Sequence, residues 1–293
     1  MSNESLKTSL ENGILTLTMN LPSNKNAINP EQMQKITNIL NEAANNEAVD
    51  FVILTGSGHF YSSGFDINPT KNNENLDPIK IGREFIASFI DFPKLLIALV
   101  NGPAVGIAVT TLGLCDLVFC STESYFWVPF TLRGLSAEGC SSYIFPRIIG
   151  YMRANEVLQF GRKFTASEAK EWGFVSDTFK PEELSSVLIK IREMRDSLSK
   201  KTRIANLIFD KTLYSNNVLQ YVVKTDLIEW PTSIEINKKL MRMWNKKILH
   251  EVNTVEWEYL ENRLISQDFQ ERMLTFLKNK ERQTKLWWKY GIQ

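Results

Sequence analysis

The sequence predicts an α/β fold: a core of alternating strands and helices over residues 1–200, then a helical region over 201–293. Three observations predict it. Short apolar runs alternate with segments whose apolar residues recur at helical spacing. Gly, Pro and Asn cluster where one kind of segment gives way to the other. Beyond Pro181 the strand signal stops, and charged residues surround a few large apolar ones.

The elements follow in order. Ile14–Met19 alternates apolar residues with threonine, as a strand does. From Pro30 to Ala48 the residues Met33, Ile36, Ile39, Leu40 and Ala43 keep helical spacing, with Asn29 as N-cap and Pro30 in the first turn. Phe51–Thr55 reads as a strand buried on both faces, closed by the loop Gly56-Ser57-Gly58. The polar, Asn-rich stretch Asp66–Asp77 predicts a mobile loop, and Ile79–Phe92 a helix. Leu95–Val100 is a buried strand ending in the turn Asn101-Gly102-Pro103. A helix over Ile107–Leu114 and a strand over Leu117–Cys120 complete the alternation. Lys200–Val222 and Ile234–Lys278 predict long helices. Trp244, Trp257, Leu260, Phe269 and Phe276 lie there among charges, and such residues need a partner subunit or the core to cover them.

Composition excludes several functions. With 34 Lys+Arg against 33 Asp+Glu, the net charge of +1 gives no general field for nucleic acid or membrane, though a local basic groove could serve a phosphorylated ligand. The three cysteines, Cys115, Cys120 and Cys140, fit no zinc spacing and suit a reducing intracellular compartment. His59 and His250 are too few and too separated for a histidine metal site, so no metal is expected. A Ser–His–Asp hydrolase would need one of those two. The longest apolar run, Leu95–Val100, is far short of a membrane span. Met1–Gly13 has no apolar core, and Tyr290–Gln293 is not a Ser-Lys-Leu address, so no clear targeting signal is expected.

Three stretches offer chemistry. His59-Phe60-Tyr61-Ser62-Ser63-Gly64-Phe65-Asp66 is rich in small residues, so a backbone can approach a ligand and its N–H groups can meet an anion. It also reads as an ordinary turn after a strand. Asn101-Gly102-Pro103-Ala104-Val105-Gly106-Ile107-Ala108 leads from a strand into a helix whose first N–H groups are free. It reads equally as plain punctuation. Arg133-Gly134-Leu135-Ser136-Ala137-Glu138-Gly139-Cys140 has two readings as well. Ser136 caps a helix with Glu138 in its first turn, or Glu138 is a general base whose proton affinity is raised by an apolar pocket.

In this order and spacing the three stretches resemble the crotonase, or enoyl-CoA hydratase/isomerase, superfamily. The resemblance runs from about Gly13 to Phe179. It includes Asn26-Ala27-Ile28-Asn29, the stretch Gly161-Arg162-Lys163-Phe164-Thr165-Ala166-Ser167-Glu168-Ala169, and Trp172-Gly173-Phe174-Val175. It implies a spiral of ββα units, C-terminal helices that build a homotrimer or a dimer of trimers, and a fatty acyl-CoA substrate. Coenzyme A arrives as part of that substrate, and no other cofactor is implied. The resemblance assigns a thioester oxyanion to the backbone N–H groups of Phe65 and Ile107, and CoA contact to Ser62, Ser63, Gly64, Phe65 and Asp66. The two glutamates of hydratases would fall at Thr110 and Phe130. Neither is an acid, so hydration by that route is not expected. A glutamate at Glu138 looks like the peroxisomal-type Δ3,Δ2-enoyl-CoA isomerases, which move one proton with one carboxylate. Phe126, Trp127, Phe130 and Leu135 are candidates for the acyl tunnel and equally for the core. By resemblance the compartment is peroxisome or mitochondrion. The alternatives are another acyl-CoA reaction, such as thioester hydrolysis or dienoyl isomerisation, and a non-catalytic module binding acyl-CoA or a protein.

Overall fold

The computed structural model describes residues 5–66, 76–197 and 230–290, of which 194–197, 230–234 and 279–290 by backbone alone. The polar stretch after Asp66, the helix expected at Lys200–Val222, the boundary at residue 200 and the final three residues lie outside the described residues.

The main sheet opens with a hairpin. β1 (Leu6–Glu11) and β2 (Ile14–Met19) pair antiparallel with Glu11 opposite Ile14. The two turn residues, Asn12 and Gly13, both have positive φ (49° and 76°), the geometry that matches strand twist. β1 was not anticipated. Its residues after Leu6 are exposed, so no apolar alternation marks it. β3 (Phe51–Gly56), β4 (Leu95–Val100), β6 (Leu117–Ser121) and β9 (Asp177–Phe179) extend the sheet in parallel, in the order β1-β2-β3-β4-β6-β9. A smaller sheet, β5 (Ala104–Val105), β7 (Tyr125–Trp127) and β8 (Phe164–Thr165), also lacks a sequence signal, because its strands are only two or three residues long.

Both faces of the main sheet are covered. Val52, Leu54, Leu96, Ala98 and Val100 face the larger core, while Phe51, Ile53, Ile97 and Leu99 face the other side beneath Leu184 and Leu188 of α7 (Leu184–Ser197). This is why these strands read as unbroken apolar runs. The larger core takes in α1 (Pro30–Asn45) and α2 (Pro78–Asp91). At the start of α1, Asn29 and Gln32 form the reciprocal cap that Asn29-Pro30 promised. The helix expected at Ile107–Leu114 is split into one α-helical turn, α3 (Ile107–Thr110), and a 3-10 turn, Thr111–Leu114. α4 (Ser141–Ile148), α5 (Tyr151–Leu158) and α6 (Ala166–Glu171) follow.

The C-terminal region forms two helices, α8 (Trp230–Leu264) and α9 (Gln267–Tyr290). α8 lies against α2 and α4. Trp257 and Leu260 are buried in the larger core, whereas Trp244 is 78% exposed. Lys238 anchors α8 by donating to the Lys94 carbonyl (2.5 Å) and to Asp116 (2.7 Å), which also accepts from the Leu96 amide at the start of β4. No described helix is long and apolar enough to cross a membrane.

Candidate active site

The site is built from two backbone loops and one acidic turn. The first loop leaves β3 and is braced by two asparagines. Asn26 donates to the carbonyls of Ser57 (2.9 Å) and Phe60 (2.7 Å). Asn101 donates to the Gly58 carbonyl (2.8 Å) and accepts from the Gly56 amide (3.0 Å). The fully buried Ser62 hydroxyl donates to the Asn26 carbonyl (2.7 Å) and accepts from the Gly64 amide (3.1 Å). The Ser62 side chain therefore braces the loop. Ser63 is half-buried, and Asp66 is buried and accepts from Asn24 (2.9 Å).

Phe65 sits in a parallel bridge to Ile28. The Ile28 amide donates to the Gly64 carbonyl (2.8 Å), and the Asp66 amide donates to the Ile28 carbonyl (2.9 Å). Such a bridge uses the groups on either side of Phe65 and turns its own N–H away. Among the described residues that N–H has no acceptor. The Phe65 side chain is 37% exposed.

The second loop lies directly on the first. Ser62 bridges Ala104, the Val105 amide donates to the Ser62 carbonyl (3.0 Å), and a Cβ on Gly64 would stand 2.3 Å from the Val105 carbonyl oxygen. Gly64 must therefore be glycine for the backbones to touch. The Gly106 amide donates to the Trp127 carbonyl (2.8 Å), and Gly106 takes φ 57°, ψ −127°, a conformation suited only to glycine. A Cβ there would meet nothing within 4 Å, so the space over this turn is open. The amides of Val109 and Thr110 turn back to the Gly106 carbonyl, while the Ile107 N–H has no acceptor among the described residues. α3 is too short for a sizeable dipole, so its individual N–H groups matter.

Glu138 stands in a loop ahead of α4, not in a helix. Ser136 is no N-cap: α4 begins at Ser141, Cys140 precedes it with φ 60°, and the Ser136 hydroxyl is buried without a described partner. The positive φ of Gly139 (68°) and Cys140 makes the sharp bend that a regular first turn could not. Glu138 is 4% exposed. Thr110 donates to its Oε1 (3.0 Å), and its Oε2 is buried with no described partner. Burial, then the nearby charge of Glu256, pushes the Glu138 carboxyl up to about 8 against the lowering effect of the Thr110 bond. A Cβ on Gly139 would stand 2.4 Å from Thr110 Oγ1, so this glycine lets the turn seat against α3.

Two members of this arrangement were not identified as such in the sequence. Thr110 stood out only as a missing acid. Glu256 of α8 gave no signal, being one carboxylate in a helix full of charge. The apolar candidates divide. Phe126 stacks on Phe164 (5.1 Å between centroids) and belongs to the core. Trp127 donates to the Gly161 carbonyl (2.9 Å), and the cations of Lys163 and Arg133 lie over its ring. Phe130 is buried, and its carbonyl accepts from the amide of half-buried Leu135 (2.8 Å) at the start of the Glu138 loop. Among the described residues no group of three or more His, Cys, Asp or Glu could hold a metal ion.

The site thus combines a largely parallel main sheet, two loop amides with no acceptor among the described residues and one buried carboxylate. Residues 9–278 match the family model for enoyl-CoA hydratase/isomerase, and the chain belongs to this family, the crotonases. It is 36% identical over 291 residues to human "Enoyl-CoA delta isomerase 2", a match covering 95% of this chain and 64% of that protein. It is also 36% identical over 273 residues to mouse "Enoyl-CoA delta isomerase 3, peroxisomal", covering 91% of this chain and 76% of the relative. The chain thus spans less than two thirds of the human protein's length. Among solved structures, an enoyl-CoA hydratase/isomerase from Pseudoalteromonas atlantica superimposes with a TM-score of 0.77 at 27% identity, over 94% of this chain and 98% of that one.

Proposed function

We propose that this protein is an enoyl-CoA isomerase that shifts a 3-cis or 3-trans double bond of a fatty acyl-CoA to 2-trans, as in the oxidation of unsaturated fatty acids. The observation that carries the reading is Glu138: a buried carboxylate with one oxygen tethered by Thr110 and the other unpartnered. The unpartnered Oε2 takes a proton from C2 of the acyl chain, and the charge spreads into a dienolate. The thioester oxygen gathers that charge against the N–H groups of Phe65 and Ile107. Losing one such donor typically costs about 3 kcal/mol of barrier. Oε2 then returns the proton at C4. Ser63, Gly64, Phe65 and Asp66 line the path of the CoA moiety, which enters as part of the substrate, and the reaction calls for no cofactor.

Hydration would need a second carboxylate aimed at a water. Thr110 and Phe130 stand where hydratases place theirs, and Glu256 is saturated by three donors from Cys140 and Ser142. The names of the human and mouse relatives support the isomerase reading. For assembly, we read the exposed Ile236, Leu240, Trp244 and Ile248, spaced along one face of α8, as part of a homotrimer or dimer-of-trimers contact. Light scattering at micromolar concentration is expected to give a trimer or hexamer, and a monomer would overturn that reading. Of a peroxisomal and a mitochondrial location, the mouse relative's name supports the peroxisomal one.

The test is to supply 3-cis- and 3-trans-enoyl-CoA and follow formation of the conjugated 2-enoyl-CoA. Turnover is expected, with little hydration of 2-enoyl-CoA. Absence of isomerisation alongside retained acyl-CoA binding would sink the enzymatic reading.

A further inference from the structure

The turn that carries Glu138 is held from a distant part of the chain. Glu256, 6% exposed on α8, accepts from the Cys140 amide through Oε2 (2.7 Å). Through Oε1 it accepts from the Ser142 amide (2.9 Å) and the Ser142 hydroxyl (2.5 Å). These amides belong to the start of α4, where Cys140 supplies no side-chain cap. A helix start without a cap leaves its first N–H groups unsatisfied, and Glu256 satisfies them in place of a local residue. The same turn is tied to Glu138 itself, because Ser141 donates its hydroxyl (2.7 Å) and its amide (3.3 Å) to the Glu138 carbonyl.

We propose that Glu256 is a positioning residue for proton transfer: as an anion it clamps the Cys140–Ser142 turn and sets its negative charge beside Glu138. The proposal rests on the isomerase reading, which assigns the proton to Glu138. Three donors and no competing acceptor stabilise the charged form of Glu256, whereas Glu138 receives one donor. Burial raises the Glu256 carboxyl above the usual carboxylate range against the lowering effect of these donors; with three donors against one, Glu256 ionises ahead of Glu138, and its charge resists ionisation of Glu138.

The groups facing the pair are few. From α3 there is Thr110. From the start of α4 there are Ser142 and Cys140, whose thiol is pushed up by burial and by both carboxylates. From α8 there is Asn253, which donates to the Arg83 carbonyl of α2 (3.0 Å). Among the described residues no cation pairs with either carboxylate. A plain cap could sit anywhere in a fold; this one occupies the turn that aims the base and lowers its acidity.

The test compares wild type, Glu256→Gln and Glu256→Asp. In wild type the acid limb of kcat/KM is expected near pH 8. Glu256→Gln removes the charge and keeps one acceptor. Its limb should fall by on the order of one pH unit, with kcat reduced about tenfold and KM for the acyl-CoA little changed. Glu256→Asp should restore the wild-type limb, because it restores the charge. A limb that stays near 8 in Glu256→Gln would overturn the proposal. Should the variants fold poorly, 13C-carboxylate titration of wild type decides the matter: Glu256 should stay ionised while Glu138 titrates near 8, and a protonated Glu256 in that range would overturn the proposal. The two readings fail separately. If Glu138→Gln isomerises normally, the isomerase mechanism fails whatever the titration shows. If Glu138→Gln is inactive and Glu256→Gln leaves the limb unmoved, only the clamp fails.

Discussion

The two halves of the candidate site are held in different ways. The donor loops around Gly64 and Gly106 are fixed by neighbouring backbone: each amide is aimed by bonds from residues in adjoining strands and turns, and Gly64 permits their close approach. The acidic turn around Glu138 is fixed by side chains, Thr110 on one flank and Glu256 on the other. A donor that must not move is set by the chain itself. The base that the proposed mechanism swings between C2 and C4 hangs from a tether on one oxygen.

Substitutions can break this comparison. The largest effect after loss of Glu138 is expected at Gly64→Ala. The added Cβ drives the Gly64 and Val105 backbones apart, and kcat should drop on the order of a hundredfold or more. Turnover within a few fold of wild type would show that the two loops need not touch. Gly139→Ala comes next. Its Cβ meets Thr110 Oγ1 and its φ is positive, so both stability and kcat should suffer, with a loss of about 1–3 kcal/mol in a denaturant titration. Thr110→Val keeps the shape and removes the tether. Because that hydroxyl lowers the pKa of Glu138, the acid limb should move upward from about 8 and kcat should fall roughly tenfold. A limb moving downward would contradict the tether. The smallest effect is expected at Phe65→Ala. The side chain is partly exposed and the donor is backbone, so kcat should change less than about threefold. A hundredfold loss would mean that the ring itself does chemistry.

The same carboxylate makes a stability prediction. Its folded-state value lies above its unfolded one, so the folded protein binds the extra proton. Stability is present in full below about 4.5 and declines as pH rises toward about 8. Glu138→Gln removes this penalty. It should stabilise the fold on the order of 3 kcal/mol at pH 7 and hardly at all at pH 4, as read by thermal melts.

The sequence and the structure agree best where local physics decides. Leu95–Val100 and Ile14–Met19 form strands at the bounds their apolar runs suggest, and Asn29-Pro30 caps α1. Gly64 could be marked as a close-approach point because it lies among small residues in a short stretch between elements. β1 could not be read, since an edge strand with exposed residues carries no core pattern. Of the two readings of Ser136–Glu138 the cap fails, because the chain bends at Gly139 and Cys140 before the helix starts, and nothing in Ser-Ala-Glu forecasts a positive φ at a cysteine. Glu256 was illegible for a stronger reason. It meets Cys140 across 116 residues of chain, and a single glutamate on a charged helix does not announce its partner.

The central claim is that Glu138 alone moves the proton. The direct measurement is the pH profile of 3-enoyl-CoA isomerisation by wild type and Glu138→Gln. The account predicts that wild-type kcat/KM rises with pH through a midpoint near 8, as the carboxylate forms, and that the glutamine variant falls by about a hundred- to ten-thousandfold at every pH. A glutamine variant that keeps wild-type turnover would contradict it.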